Sequence, residues 1–359
     1  MPTRFLSALI AIGVSVALLI LSWPQLFGLQ NAWVVAHVVS LRGLAVVGAA
    51  AGIVVLLLLL PFRPLRRLAG LLMVALLLFG VTNTAILASR GIKTDAGQAS
   101  ADESAAPAAW AGAASEAGTA DSVTVLSWNT LGDAPGAAAI AKLALEQDAD
   151  IVTLPETTEK TGVAIAEAMR VGGRPMWVHT VAFDLISKAR STTLLISPDL
   201  GDYEVKSAAG SGPPGNTNVL PTVVASPADG NGPTVVAVHA VSPIQFEMPN
   251  WRSDLDWLAD QCTGKNIIMA GDFNATIDHM AGRAATDSAV LGDCRDAALS
   301  VGSAAVGTWP ASAPMLLGSP IDHVLTTPNW QVDSMQVIAS RDDSGSDHRP
   351  IVATLSLTP

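Results

Sequence analysis

The pattern of apolar and polar positions divides the chain into three stretches. No charged residue occurs between Arg4 and Arg42, between Arg42 and Arg63, or between Arg67 and Arg90. Charge-free apolar runs of about 18 residues or more predict membrane spans. The expected spans cover about 5–22, 40–60 and 68–87, within an anchor of residues 1–90. Phe5 to Ser22 is long for the apolar core of a signal peptide, and Trp23-Pro24-Gln25 offers no small-x-small cleavage site, so this span is expected to stay uncleaved. Residues 23–42, with Pro24, Gly28 and Asn31, either lie at the membrane interface or extend the second span. A buried soluble hairpin would show a polar face, and none interrupts these runs.

Residues 91–121 are rich in Ala, Gly, Ser, Asp and Glu, with one aromatic, Trp110; this composition predicts a flexible tether. From Ser122 to the end the pattern changes to short apolar runs between longer amphipathic ones. Strands are expected at Val123 to Trp128, Ile151 to Leu154, Val178 to Phe183, Thr192 to Ser197, Val235 to Val241, Asn266 to Met269, Ile321 to Thr326, Val332 to Ala339 and Ile351 to Leu357. Helices are expected at Gly136 to Glu146, Thr161 to Arg170 and Asn250 to Gln261, the last with Trp251, Leu255 and Leu258 on one face. Ser207 to Thr217 reads as a Gly/Ser/Pro loop. The reading is one α/β domain over 122–359 behind a membrane anchor and a linker.

Charge adds orientation. Arg63, Arg66 and Arg67 lie between spans two and three, and Arg4 precedes span one. Basic residues favour the cytoplasmic side, and with three spans both sites can be cytoplasmic together. The C-terminal domain is then extracytoplasmic, with Arg42 as the one departure. Residues 122–359 carry thirteen Lys/Arg against twenty-six Asp/Glu, within a whole-chain net charge of -11. So acidic a domain disfavours tight binding to polyanionic DNA without metal ions. The two cysteines, Cys262 and Cys294, both fall in this domain, and outside the cytoplasm an even count predicts a disulfide.

The candidate chemistry centres on Ala270-Gly271-Asp272-Phe273-Asn274-Ala275-Thr276. It follows a short buried strand, and Gly271 is expected to permit a sharp turn at the strand end. In extended backbone Asp272 and Asn274 would face one side, where a carboxylate and an amide can hold a water, a metal or a phosphate oxygen. A capped turn is the plainer alternative. Four further segments set a polar residue at or near a strand edge: Ser127-Trp128-Asn129-Thr130, Leu154-Pro155-Glu156-Thr157, Ile321-Asp322-His323-Val324-Leu325 and Ser346-Asp347-His348-Arg349-Pro350. These five motifs, in this order over roughly 122–359, resemble the endonuclease/exonuclease/phosphatase superfamily of metal-dependent phosphohydrolases.

The resemblance implies a four-layer sandwich of two packed mixed β-sheets flanked by helices, with the site at one end of the sheets. It implies a phosphoester hydrolase using Mg²⁺ or Mn²⁺, cations that prefer hard oxygen ligands. Glu156, Asn129 and Asp347 are the expected metal residues. Asp272 resembles the residue that orients or deprotonates the attacking water, and Asn274 the one that fixes the phosphate. His348 resembles the histidine contacting the scissile phosphate, and His239, on a strand ending near Pro243, the family's other histidine. Asp322 would orient one of these two histidines; which one stays open. His323 should face the opposite side of its strand from Asp322 and is set aside. Asp278-His279 either tunes the site or turns the chain, Trp309 in Gly307-Thr308-Trp309-Pro310 lies near the site or in the core, and Arg190 is a further candidate for phosphate.

The anchor together with these motifs looks like membrane-anchored bacterial members of the superfamily. The expected substrate is a phosphate ester: nucleic acid, phospholipid or a small phosphate. The expected partner is the membrane lipid bilayer, with no protein partner. A non-catalytic tethered binding module on the same fold is the alternative.

Overall fold

The computed structural model describes residues 2–94, 122–183, 186–207 and 212–358. The tether expected over 91–121 therefore lies, from residue 95 onward, outside the described residues. Four helices come first: α1 (Pro2–Ser22), α2 (Trp33–Ser40), α3 (Arg42–Leu59) and α4 (Arg66–Arg90). Three of them are long and apolar enough to cross a membrane, over Phe5–Ser22, Arg42–Leu59 and Arg66–Arg90. The short α2 comes from residues 33–40, whose place between spans the sequence leaves undecided.

The rest of the chain builds β1 (Ser122–Ser127), α5 (Ala137–Glu146), β2 (Ile151–Pro155), α6 (Glu159–Val171), β3 (Trp177–Ala182), β4 (Ser191–Ile196), β5 (Tyr203–Val205), β6 (Val223–Pro227) and β7 (Thr234–His239). Then follow α7 (Met248–Gln261), β8 (Ile267–Asp272), α8 (Ile277–Met280), β9 (Arg295–Asp296), α9 (Ala297–Val301), β10 (Asp322–Thr326), β11 (Trp330–Val337) and β12 (Ile351–Leu357). One six-stranded sheet runs β11-β12-β1-β2-β4-β3, the other β5-β6-β7-β8-β10-β9. Both are mixed: β1 pairs parallel to β2 and β7 parallel to β8, while their other pairings are antiparallel. The expected two-sheet sandwich is thus observed. The short strands β5, β6 and β9 are additions to the sequence reading.

Period-two alternation explains the layers. On β1, Val123 and Val125 face the core between the sheets, and Leu126 packs with Trp128 against α5 and α6. On β8, Ile268 and Ala270 join the inter-sheet core, while Ile267 and Met269 face α7. Gly271 does not make a turn. It lies within β8 with φ of +151°, and a Cβ there would stand 2.0 Å from the Val238 carbonyl oxygen. Glycine is required by the close approach of β7 rather than by a change of direction. Cys262, just after α7, and Cys294, just before β9, form the expected disulfide, with Cα atoms 5.9 Å apart.

Candidate active site

Register places the site. His239 ends β7 beside Asp272, which ends β8, in the parallel pairing of those strands. Asp272 stands opposite Asp322, the first residue of β10, in an antiparallel pairing. Side chains alternate, so Asp272, Asp322 and His239 share the face that carries Ala270, Val324 and Ala237 into the inter-sheet core. In the other sheet, Asn129 follows β1 and Glu156 follows β2, whose ends are side by side. His348 precedes β12, which begins where antiparallel β1 ends. All these groups therefore meet at one end of the sandwich.

Two carboxylates directly opposed on one face repel each other. His348 lies against both of them. Its Nδ1 donates to Asp322 Oδ2 at 2.9 Å, and its Nε2 is 3.7 Å from Asp272 Oδ2. Burial disfavours the charged ring, but Asp322 and Asp272 outweigh it and push His348 well above the usual histidine range. Burial raises Asp272, against the pull of the His348 charge. Asp322 is thus the partner of His348. His239 is buried, its Nδ1 has no hydrogen-bond partner, and its Nε2 lies 3.9 Å from Glu156 Oε1. Burial and the neighbouring His348 charge lower its pKa to about 3, so the ring is neutral.

Asn129 ties the two sheets together. Its Nδ2 donates to Glu156 Oε1 at 3.2 Å and to Asp272 Oδ2 at 3.0 Å. Glu156 has φ of +59° and a side chain 18% exposed, and burial pushes its pKa up against the Asn129 bond and the His348 charge. The expected extended geometry at Asp272 and Asn274 is not found. Asn274 has φ of +47°, and Asp272 Oδ1 accepts from its backbone N–H at 2.8 Å. The capped turn is what forms, and it sets Asn274 on the lining of a cavity shared with His348, where its Nδ2 donates to the Ala240 carbonyl at 2.9 Å. Asp347 is 42% exposed; its Oδ2 accepts from Trp309 Nε1 at 2.9 Å, and its Oδ1 is 4.0 Å from His348 Nε2. Trp309 lies by the site, not in the core.

The donor set suits a hard cation. Asp322 Oδ1 and Asp347 Oδ1 have no hydrogen-bond partner, and Glu156 adds a partly exposed carboxylate. Among the described residues, Asp272, Asp322 and His348 bring ligand atoms within 4.8 Å of one another. His348 faces carboxylates at both nitrogens, which holds it as a cation and makes it a poor ligand, since metal binding needs neutral imidazole. The carboxylates are the better metal donors.

Residues 126–348 match the model of the Endonuclease/Exonuclease/phosphatase family. The chain belongs to this family. Among solved structures it is similar to an endonuclease/exonuclease/phosphatase from Bacteroides vulgatus, at 16% identity and TM-score 0.49 over 66% of this chain and 99% of that one. It is also similar to one from Beutenbergia cavernae, at 17% identity and TM-score 0.46 over 66% and 72%. A third is the mannosyl-6-phosphatase of Bacteroides thetaiotaomicron VPI-5482, at 17% identity and TM-score 0.46 over 66% and 100%. Compared with curated proteins, the chain has no significant match.

In this endonuclease/exonuclease/phosphatase site, several supports escape sequence reading. Ser346 Oγ donates to the Asn129 carbonyl and accepts from the His348 N–H; Trp128 Nε1 holds the His348 carbonyl at 2.9 Å. Thr308 Oγ1 accepts from the N–H groups of Ile321 and Asp322. Apart from the Ser346–His348 turn, each is a side chain acting on a backbone atom distant in sequence, which leaves no periodic signal. His323 lies where alternation sets it, away from the site, and the candidates Arg190, Asp278 and His279 take other places. His323 faces away, its Nδ1 donating to Asp296 and its Nε2 bonded to the Ala275 carbonyl. Arg190 donates to the carbonyls of Asn218 and Val219 and lies over the Phe183 ring. Asp278 and His279 meet the N-terminal helices.

Proposed function

We propose that this protein is a membrane-anchored, extracytoplasmic phosphoesterase that uses Mg²⁺ or Mn²⁺. The observation carrying the reading is the Asp272–His348–Asp322 row, closed by Asn129 and Glu156 from the opposite sheet. Glu156, Asn129 and Asp347 would hold the cation, and Asp322 Oδ1, which has no hydrogen-bond partner, is a further donor. A bound divalent cation neutralises phosphate charge and stabilises the charge that builds up in the transition state. The chain's residues supply the rest. His348, oriented by Asp322, donates to a phosphate oxygen. Asp272 orients and accepts a proton from the attacking water. Asn274 fixes a second phosphate oxygen through its amide.

Two features favour a phosphoester with an apolar part, a phospholipid or similar amphiphile, over nucleic acid. The domain is acidic, which repels a polyanion. A cavity of about 310 Å³ opens from Asn274 and His348 and is bounded by Ala36, Pro243, Ile244 and Ile321. The basic residues Arg63, Arg66 and Arg67, just before and at the start of α4, support the extracytoplasmic orientation. The test uses the full chain in detergent, with Mg²⁺ or Mn²⁺, on plasmid DNA, RNA, phospholipids and small phosphates; EDTA and Asp272→Ala are the controls. Metal-dependent turnover of lipid phosphoesters is expected. Cutting of nucleic acid alone would overturn the substrate class, and no turnover by folded protein would favour a binding module.

A further inference from the structure

Asp278 and His279 are buried, yet the row of site residues makes no use of them. Asp278 instead takes five donors from the anchor segment. Arg42 Nε and Nη2 reach it at 2.9 and 2.8 Å, Arg90 Nη1 and Nη2 at 2.8 and 2.6 Å, and Gln25 Nε2 at 2.7 Å. Arg42 also holds the Ser22 carbonyl at the end of α1 and Asn83 Oδ1 in α4. One buried guanidinium thus joins three helices of the anchor to the catalytic domain. It also accounts for Arg42 departing from the basic-loop pattern: its charge is matched by Asp278.

His279 makes the second link. Its Nδ1 accepts from the Thr276 N–H at 2.8 Å, so its Nε2 carries the proton and donates to the Ala36 carbonyl of α2 at 3.0 Å. Around these links the backbones fit closely. A Cβ on Gly43 would lie 1.8 Å from the Leu316 carbonyl oxygen, and Ala305 N–H donates to the Gly91 carbonyl at 3.0 Å. Only three residues lie between Asn274 and Asp278. The cavity beside Asn274 and His348 has α2 as a wall, with His37 and Ser40 on its lining.

We propose that the anchor completes the catalytic cleft: Asp278 and His279 are positioning residues that lock α2 beside Asn274, and His37 and Ser40 of α2 contact the substrate. His37 Nδ1 donates to the Trp33 carbonyl at 2.7 Å, which leaves Nε2 as the atom for substrate. The anchor is then part of the enzyme rather than a leash, and the cleft keeps a set place against the membrane-facing helices. The kinetic consequence rests on the phosphoesterase reading above; the docking does not.

The experiment uses the full chain in lipid nanodiscs and has two readouts. Hydrogen exchange is followed over 33–40 and 275–280, with β1 and β7 as internal controls. Asp278→Asn should raise exchange in both segments at least tenfold while β1 and β7 stay protected, and Asp278→Glu should restore part of the protection. If Asp278→Asn loosens the whole domain, Arg90→Gln carries the test, with a smaller rise in the same two segments. Unchanged exchange in both variants, or a rise confined to one segment, overturns the docking. On a phospholipid substrate, His37→Ala should raise KM at least fivefold while kcat moves less than twofold. An unchanged KM overturns the substrate contact. Wild-type protein inactive on every phosphoester removes that contact together with the phosphoesterase reading, and exchange alone then decides the docking.

Discussion

Asp322 accepts a hydrogen bond from Nδ1 of His348 at 2.9 Å, and this pairing decides which of two histidines the carboxylate serves. The other, His239, lies beside Glu156 as a neutral ring. The His348 bond fixes the ring's orientation and leaves Nε2 turned toward Asp272.

Loss of that arrangement should be costly. His348→Ala and Asp272→Ala are each expected to lower kcat/KM by roughly 10²–10⁴, the usual contribution of a positioned acid or base. Asp322→Asn should also lower it substantially, because an amide cannot hold the charged ring as a carboxylate does. Circular dichroism should show the folded domain in all three variants. Near-wild-type turnover by either alanine variant would mean that the reacting groups lie elsewhere.

Metal removal is read without activity. A cation binding only the folded protein stabilises it by RT ln(1 + [L]/Kd), about 2.7 kcal/mol at a hundred times Kd. Wild-type Tm should rise with added Mg²⁺ or Mn²⁺ and fall back with EDTA. Glu156→Gln should lose most of that rise. An equal rise in wild type and Glu156→Gln would take Glu156 out of the metal site.

His323 predicts a pH dependence on the face of β10 turned away from the site. Burial lowers its pKa, but the Asp296 bond and charge, with the Ala275 carbonyl, outweigh this and raise it above 6.5. A raised pKa means that the folded state binds the proton more tightly than the unfolded chain. The pair's stabilisation is therefore complete below about pH 6.5, the unfolded value, and is lost as pH rises through the folded value. Urea midpoints of wild type and His323→Phe, taken from pH 6 to pH 10, should show the wild-type advantage shrinking upward. An advantage that grows with pH would contradict the pairing.

The Cys262–Cys294 bridge spans 32 positions. Closing a loop of that length stabilises by roughly 3–4 kcal/mol in the chain-entropy picture. Replacing both cysteines with alanine should lower the urea midpoint accordingly, and reductant should then have no further effect. A variant as stable as the oxidised wild type would show that this link adds nothing to folding.

Much of this protein is legible along the chain because it depends on local periodicity. Charge-free runs mark the three long apolar helices, each long and apolar enough to cross a hydrocarbon layer. Short, bounded apolar runs mark β1, β8 and β10, because each buries one face between the sheets and the other against helices. The polar residues at the ends of these strands stand out against that pattern, and Asn129, Glu156, Asp272, Asp322 and His348 do meet.

Tertiary structure decided the pairings. Asp322 opposes Asp272 only through the β8–β10 register, and His348 reaches both only because β12 starts where β1 ends. Gly271 serves a close approach to Val238, which a turn-forming residue type does not announce. Asp278 is the clearest case. Its partners Arg42 and Arg90 lie 236 and 188 residues away, in stretches read as membrane anchor. A carboxylate's partner depends on which charge folding buries beside it, and burial at that separation is a property of the packed chain.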